Sequence, residues 1–275
     1  MAKQRMRGYR EKVMIKGVLF DKDGTLLKFQ ELWLDAAKYV VWDFCFMNHL
    51  PISSELQEFI LKAMGVENNT IRQDGPLAYM TYEQIGEAVV NSLKSVEYKD
   101  LSSKMQADMY GWAVRISKEL AGRQMKVLFE TVLEREELTC VPTCDVKNLF
   151  KELKRQNIKI GLATADNRPV SEKCLNQLGI VEEFDFLGCN DGVLKPKPET
   201  DMFDAFCKEW GLKPEEVAVV GDTANDMRFA KNAGGVAVGI LCGLANREEL
   251  EPLADAVMDT PAEMIALLKA GKIPA

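Results

Sequence analysis

A chain of 275 residues with 47% apolar and 28% charged residues can bury a sizeable core without disulfide or metal staples. Its net charge of −7, from 35 basic and 42 acidic residues, argues against a nucleic-acid partner. The longest mostly apolar uncharged run, residues 233–245, falls short of the roughly 18 residues a spanning helix needs, so no membrane partner is expected.

In chain order, a basic N-terminal arm carries no apolar core or cleavage signal, so it is not read as a secretory leader. A first strand over 14–20 runs into "FDKDGT", where two carboxylates, Asp21 and Asp23, end an apolar stretch. From 29 to 141, apolar residues recur at helical spacing: 30–50, 54–65, 81–95, 99–122 and 124–138. Trp33, Trp42, Phe44 and Phe46 fall on that spacing and are expected in a core. Residues 68–81 form a turn-rich loop, whose Arg72 is a candidate for an anionic substrate because its planar fork suits carboxylate or phosphate. His49 is given no site role. Pro142 marks the return to a different pattern.

Beyond it, strands are predicted at 158–165, 184–189, 217–222, 235–241 and 255–258, each a near-continuous apolar run, separated by amphipathic helices. This alternation predicts an α/β, doubly wound parallel sheet, formed by residues 1–28 and 142–275, with an all-helical cap at 29–141 inserted between. The seven cysteines have no paired spacing, and the chain has one histidine, which argues for reduced thiols in a cytosolic protein rather than a zinc site.

In such a sheet, ligands bind beyond the carboxyl ends of the strands. Four of those ends carry polar groups: Asp21 and Asp23; Thr164 and Asp166, on either side of Ala165; Lys195 in "KPKP"; and Asp222, Asn225 and Asp226 in "GDTANDM". The ordered set "DKDGT", "LATADN", "KPKP" and "GDTANDM" resembles the four motifs of the haloacid dehalogenase superfamily, on its phosphatase side and similar to phosphoglycolate phosphatases with a C1-type helical cap. The resemblance covers 14–28 and 142–270; the stretch from Asp21 to Thr164 is long for this cap type, implying extra helices.

That resemblance implies a Mg2+-dependent phosphatase acting on a small phosphorylated metabolite, with Asp21 as nucleophile forming an aspartyl-phosphate. It implies a metal held by Asp21, the main-chain carbonyl of Asp23, and Asp222, with Asp226 a further ligand or a partner of Lys195 and metal-bound water. Asp23 becomes the general acid, then base. Thr164, with the main chain near Ala165, holds the phosphoryl group; Lys195 balances its charge, and Asn225 lies nearby. Lys195 is preferred to Lys197 because it opens K-P-x-P, leaving Lys197 on the surface. Lys22 replaces an apolar or aromatic residue of the family, and strand alternation points it away from the two acids. A β-phosphoglucomutase-like mutase is disfavoured by the absence of histidine after the first motif, and a non-catalytic binding module by the retention of every motif. Dehalogenases carry Tyr, phosphonatases Ala and P-type ATPases Thr where Asp23 stands.

Overall fold

The computed structural model describes residues 14–94, 111–112, 116–135 and 137–270. The chain divides into two compact units, residues 1–28 with 142–275, and residues 29–141.

The first unit opens with β1 (Gly17–Phe20), buried throughout. The second unit contains α1 (Phe29–Met47), α2 (Ser54–Ala63), the strands β2 (Val66–Glu67) and β3 (Thr70–Ile71), the one-turn α3 (Pro76–Tyr79), α4 (Tyr82–Lys94) and α5 (Lys118–Leu133). The first unit resumes with α6 (Val146–Arg155), β4 (Lys159–Ala163), α7 (Arg168–Leu178), β5 (Phe186–Gly188), α8 (Asp201–Trp210), β6 (Val217–Gly221), α9 (Ala224–Ala233), β7 (Val236–Ile240), α10 (Arg247–Leu250), β8 (Ala256–Met258) and α11 (Met264–Ala270).

Six parallel strands form one sheet in the order β5-β4-β1-β6-β7-β8. Alternation within their apolar runs supplies two cores. Val18, Phe20, Ile160, Leu162 and Val220 pack on one face with Leu149 and Phe150 of α6. Leu19, Ala163 and Val219 pack on the other with Phe203 and Phe206 of α8 and Phe229 of α9. Both sides of the inner strands β1, β6 and β7, and of nearly all of β4, are therefore dry, which is why the sequence shows unbroken apolar runs there rather than an alternating pattern. β1 lies between β4 and β6, in register Phe20↔Leu162 and Phe20↔Val220. The residues following these three strands thus leave the sheet side by side. An antiparallel bridge between Leu27 and Pro142 places the two chain crossings next to each other.

The second unit departs from the expected all-helical composition. Asn68 and Asn69 both adopt left-handed backbone, with φ of 51° and 57°, and close a two-residue hairpin between β2 and β3. Asparagine tolerates this region, and paired left-handed residues match the natural strand twist. The helix expected to stop near Gly122 instead continues through it as α5. A Cβ on Gly86 of α4 would lie 2.5 Å from the Ala121 carbonyl oxygen, so these glycines let two helix backbones approach closely rather than ending a helix. Most of the helix expected at 99–122 lies outside the described residues before α5.

Trp33 and Phe44 are buried, and Trp33 meets the stacked pair Tyr82–Phe129, whose centroids are 4.9 Å apart. Trp42 and Phe46 do not join them. They stack on each other one turn apart and are 45% and 64% exposed, because 42 and 46 fall off the stripe of Ala36, Ala37, Val40, Val41 and Phe44 that α1 buries. None of the seven cysteines is in a disulfide, and among the described residues no helix is long and apolar enough to cross a membrane.

Candidate active site

Asp21 is the first residue beyond β1, and its backbone N–H still donates to the Val220 carbonyl of β6 at 2.9 Å. This last ladder bond fixes the carboxylate at the sheet edge. One side-chain oxygen, Oδ1, accepts from the Nζ of Lys197 at 2.5 Å. The same ammonium reaches Oδ1 of Asp226 at 2.6 Å. Lys197 is therefore the cation of the site, and Lys195 is not: its side chain is exposed, and its backbone N–H donates to Asp201.

Two asparagines of α9 explain the choice. Asn225 Nδ2 donates to the Lys197 carbonyl and Asn232 Nδ2 to the Pro198 carbonyl, both at 3.1 Å. They dock the loop against α9 with Lys197 facing the carboxylates. Asn225, expected near the phosphoryl group, spends its side-chain amide on this loop.

Asp226 belongs to a helix cap as well as to the site. Its Oδ2 accepts from the Thr223 N–H at 3.1 Å and from the Thr223 hydroxyl at 2.5 Å, within the capping box that starts α9. The cap orients Asp226 so that its other oxygen meets Lys197. Asp222 is fully buried: its Oδ2 accepts from the Leu244 N–H at 2.8 Å, and its Oδ1 from the Thr25 hydroxyl at 3.3 Å. Thr25, itself fully buried, belongs to the motif after β1 but received no role from the sequence.

Two glycines make room for Asp222. A Cβ on Gly243 would sit 2.0 Å from its Oδ2 and one on Gly24 2.1 Å from it; Gly24 also has φ of +83°. Gly243→Ala is therefore expected to displace this carboxylate. Divalent-metal affinity, measured by calorimetric titration, should fall at least about tenfold, with a stability loss of about 1–3 kcal/mol from overpacking in chemical denaturation.

Oxygens of Asp21, Asp222 and Asp226 lie within 4.8 Å of one another. Burial pushes the Asp21 carboxyl up to about 7; Lys197 opposes that rise, while Asp226 and Asp23 add to it. Asp222 is likewise held well above the usual carboxylate range, by burial and then by Asp21 and Asp226. Burial alone would lower the Lys197 pKa, yet Asp21 and Asp226 outweigh it and raise it above the ordinary lysine value. Lys197 pairs with two of these three carboxylates, so with all three ionised the cluster is two positive charges short. A divalent, oxygen-seeking cation fits both the donor set and that shortfall.

Thr164, the residue after β4, is buried; its N–H donates to the Gly188 carbonyl at 3.0 Å, and its hydroxyl accepts from the Asp166 N–H at 3.2 Å. Ala165 beside it is exposed. The helix that follows, α7, is capped by Asn167, whose side chain accepts from Val170 N–H, with proline in its first turn. Asp23 is half-buried, and its Oδ2 pairs with the Lys22 ammonium at 2.7 Å. Lys22 thus does not point away from both acids. The chain has already left regular strand geometry at this point, with Gly24 N–H donating back to the Leu27 carbonyl at 2.7 Å, so alternation no longer governs direction. Arg72, in the second unit, is exposed and ion-paired with Glu67 at 3.2 Å and Asp74 at 3.3 Å.

A family model described as haloacid dehalogenase-like hydrolase matches residues 15–234. A pyrophosphatase PpaX from Bacillus mycoides is 24% identical over 255 residues, spanning 92% of this chain and 97% of that protein. Among solved structures, a predicted phosphoglycolate phosphatase from Haemophilus somnus superposes with a TM-score of 0.61 at 20% identity, covering 92% of this chain and 97% of the other. A β-phosphoglucomutase from Clostridium difficile gives 0.56 at 19% identity, covering 94% and 97%. At these identities the structural likenesses bear on the fold.

Proposed function

We propose, from the premise that the chain belongs to the haloacid dehalogenase-like hydrolase family, that it is a Mg2+-dependent phosphatase of a small phosphorylated metabolite, working through an aspartyl-phosphate on Asp21. The observation that carries this is the Asp21 carboxylate itself. It is buried at the sheet edge, held at one oxygen by Lys197, and flanked by Asp222 and Asp226.

In this reading the Asp21 oxygen attacks phosphorus while the ester oxygen departs. Lys197 fixes the attacking group and offsets charge on the phosphoryl oxygens. Asp23 delivers a proton to the departing oxygen, then takes one from the water that cleaves the aspartyl-phosphate. The Thr164 hydroxyl and the start of α7 supply donors for the phosphoryl group. Asp21, Asp222 and the main-chain carbonyl of Asp23 would hold the magnesium ion, with Asp226 completing its surroundings through Lys197. The ion, when bound, supplies charge neutralisation at the phosphoryl oxygens. That none of its seven cysteines is in a disulfide supports a reducing compartment such as the cytoplasm in this reading.

The test is phosphate release from a panel containing pyrophosphate, phosphoglycolate and sugar phosphates, with and without Mg2+. At least one member should release phosphate, and chelation with EDTA should abolish it. Conversion of a sugar 1-phosphate to its 6-phosphate without phosphate release would instead favour a mutase.

A further inference from the structure

Lys22 is fully buried, an unusual place for an ammonium, and it is shared by two carboxylates. Its Nζ lies 2.7 Å from Asp23 Oδ2 and 2.9 Å from Asp166 Oδ2. Asp166 stands in the loop after β4, where its backbone N–H donates to the Thr164 hydroxyl and its carbonyl accepts from Asn190 N–H at 2.8 Å. The Lys22 carbonyl accepts from both Leu26 and Leu27 N–H groups at 2.9 Å, which fixes the turn carrying Asp23. One side chain thus joins the loop bearing Asp21 and Asp23 to the loop bearing Thr164.

We propose that Lys22 is a positioning residue for proton transfer: clamped by Asp166, its ammonium fixes the direction in which the Asp23 carboxyl group faces the departing oxygen. This rests on the phosphatase reading above. The step it serves forms the bond from Asp21 oxygen to phosphorus and breaks the bond from phosphorus to the ester oxygen. The Asp23 proton passes to that oxygen, leaving Asp23 as a carboxylate. A buried ion pair that only held the fold together would matter equally for every substrate. A clamp on Asp23 matters most where the departing oxygen needs a proton.

The experiment compares kcat/KM for an alkyl phosphate and for p-nitrophenyl phosphate, since this ratio reports transfer to Asp21 and only the alkyl oxygen requires protonation. Lys22→Met should lose at least about tenfold more on the alkyl ester than on the aryl ester. In an Asp23→Asn background the same substitution should add no further selectivity. Equal losses on both esters, or undiminished selectivity without Asp23, would overturn the clamp. Should the loss of this buried ammonium prevent Lys22→Met from folding, the double variant Lys22→Met/Asp166→Asn removes one negative charge as well and is held to the same comparison. Wild-type protein that releases phosphate from neither these esters nor any member of the panel above with Mg2+ would overturn the phosphatase reading itself, and this inference with it.

Discussion

Lys197→Met is expected to lower kcat by about 10²–10³-fold, the usual cost of removing one preorganised electrostatic contact to a developing charge. Lys195→Met should remain within about twofold of wild type, as expected for an exposed surface position. Lys197 touches both Asp21 and Asp226 from a nearly dry position, its side chain only 7% exposed. Removing it takes from Asp21 and Asp226 the ammonium that pairs with both of them. Breaking a buried pair in this way destabilises typically by about 3–5 kcal/mol, so thermal unfolding of the metal-free variant should also shift downward. Added Mg2+ should restore more of that stability than it adds to wild type, because it meets a larger charge deficit. Steady-state kinetics on both lysine variants, with unfolding scans in EDTA and in Mg2+, check all of this. Comparable activity losses for the two would return the role to Lys195.

Asp21→Asn is expected to abolish turnover, by about 10⁴-fold or more, since an amide cannot form the acyl-phosphate. Its effect on stability should run the other way. The Asp21 carboxyl has a folded pKa of about 7 against an ordinary value of 3.8, so between those values the metal-free native state binds the proton more tightly than the unfolded chain does. The stabilisation from this proton is fully present below pH 4 and is lost as pH rises towards 7. At about 1.4 kcal/mol per pKa unit, the loss is of the order of a few kcal/mol. Metal-free wild type should therefore melt at a lower temperature at pH 8 than at pH 5. Asp21→Asn, neutral at both, should flatten that dependence and melt above wild type at pH 8. The Asp222 pKa, raised partly by Asp21, should relax in the same variant. Mg2+ should reverse the wild-type loss at pH 8, because it binds the ionised acids. A metal-free protein whose melting temperature rises from pH 5 to pH 8 would contradict the crowding of these carboxylates.

The contrast between the two lysines shows how far local sequence reading reaches. Lys195 and Lys197 share one short motif, and position within it offered no physical ground for choosing. The decision lies with Asn225 and Asn232, about thirty residues away on α9, whose amides hold the loop carbonyls. Lys22 was misdirected for a related reason. Period-two alternation holds only while the chain stays extended, and β1 ends at Phe20. Thr25 could have been found, since a hydroxyl directly after Gly24 in a turn at the sheet edge is placed to serve a neighbouring acid. Gly122 carried a helix-end signal that close packing against α4 overrode.

What the sequence determined by itself is the alternation of dry strands with amphipathic helices, and the acids placed directly after β1 and β6. Both follow from local rules, because burial of a strand on two faces demands an apolar run, and a carboxylate can stand only where that run ends. Tertiary structure alone decided which ammonium answers those acids, that Lys22 turns inward to Asp23 and Asp166, and which glycines make space for Asp222. Electrostatic pairing and close approach depend on distances between residues remote in the chain, and no period or motif encodes those distances.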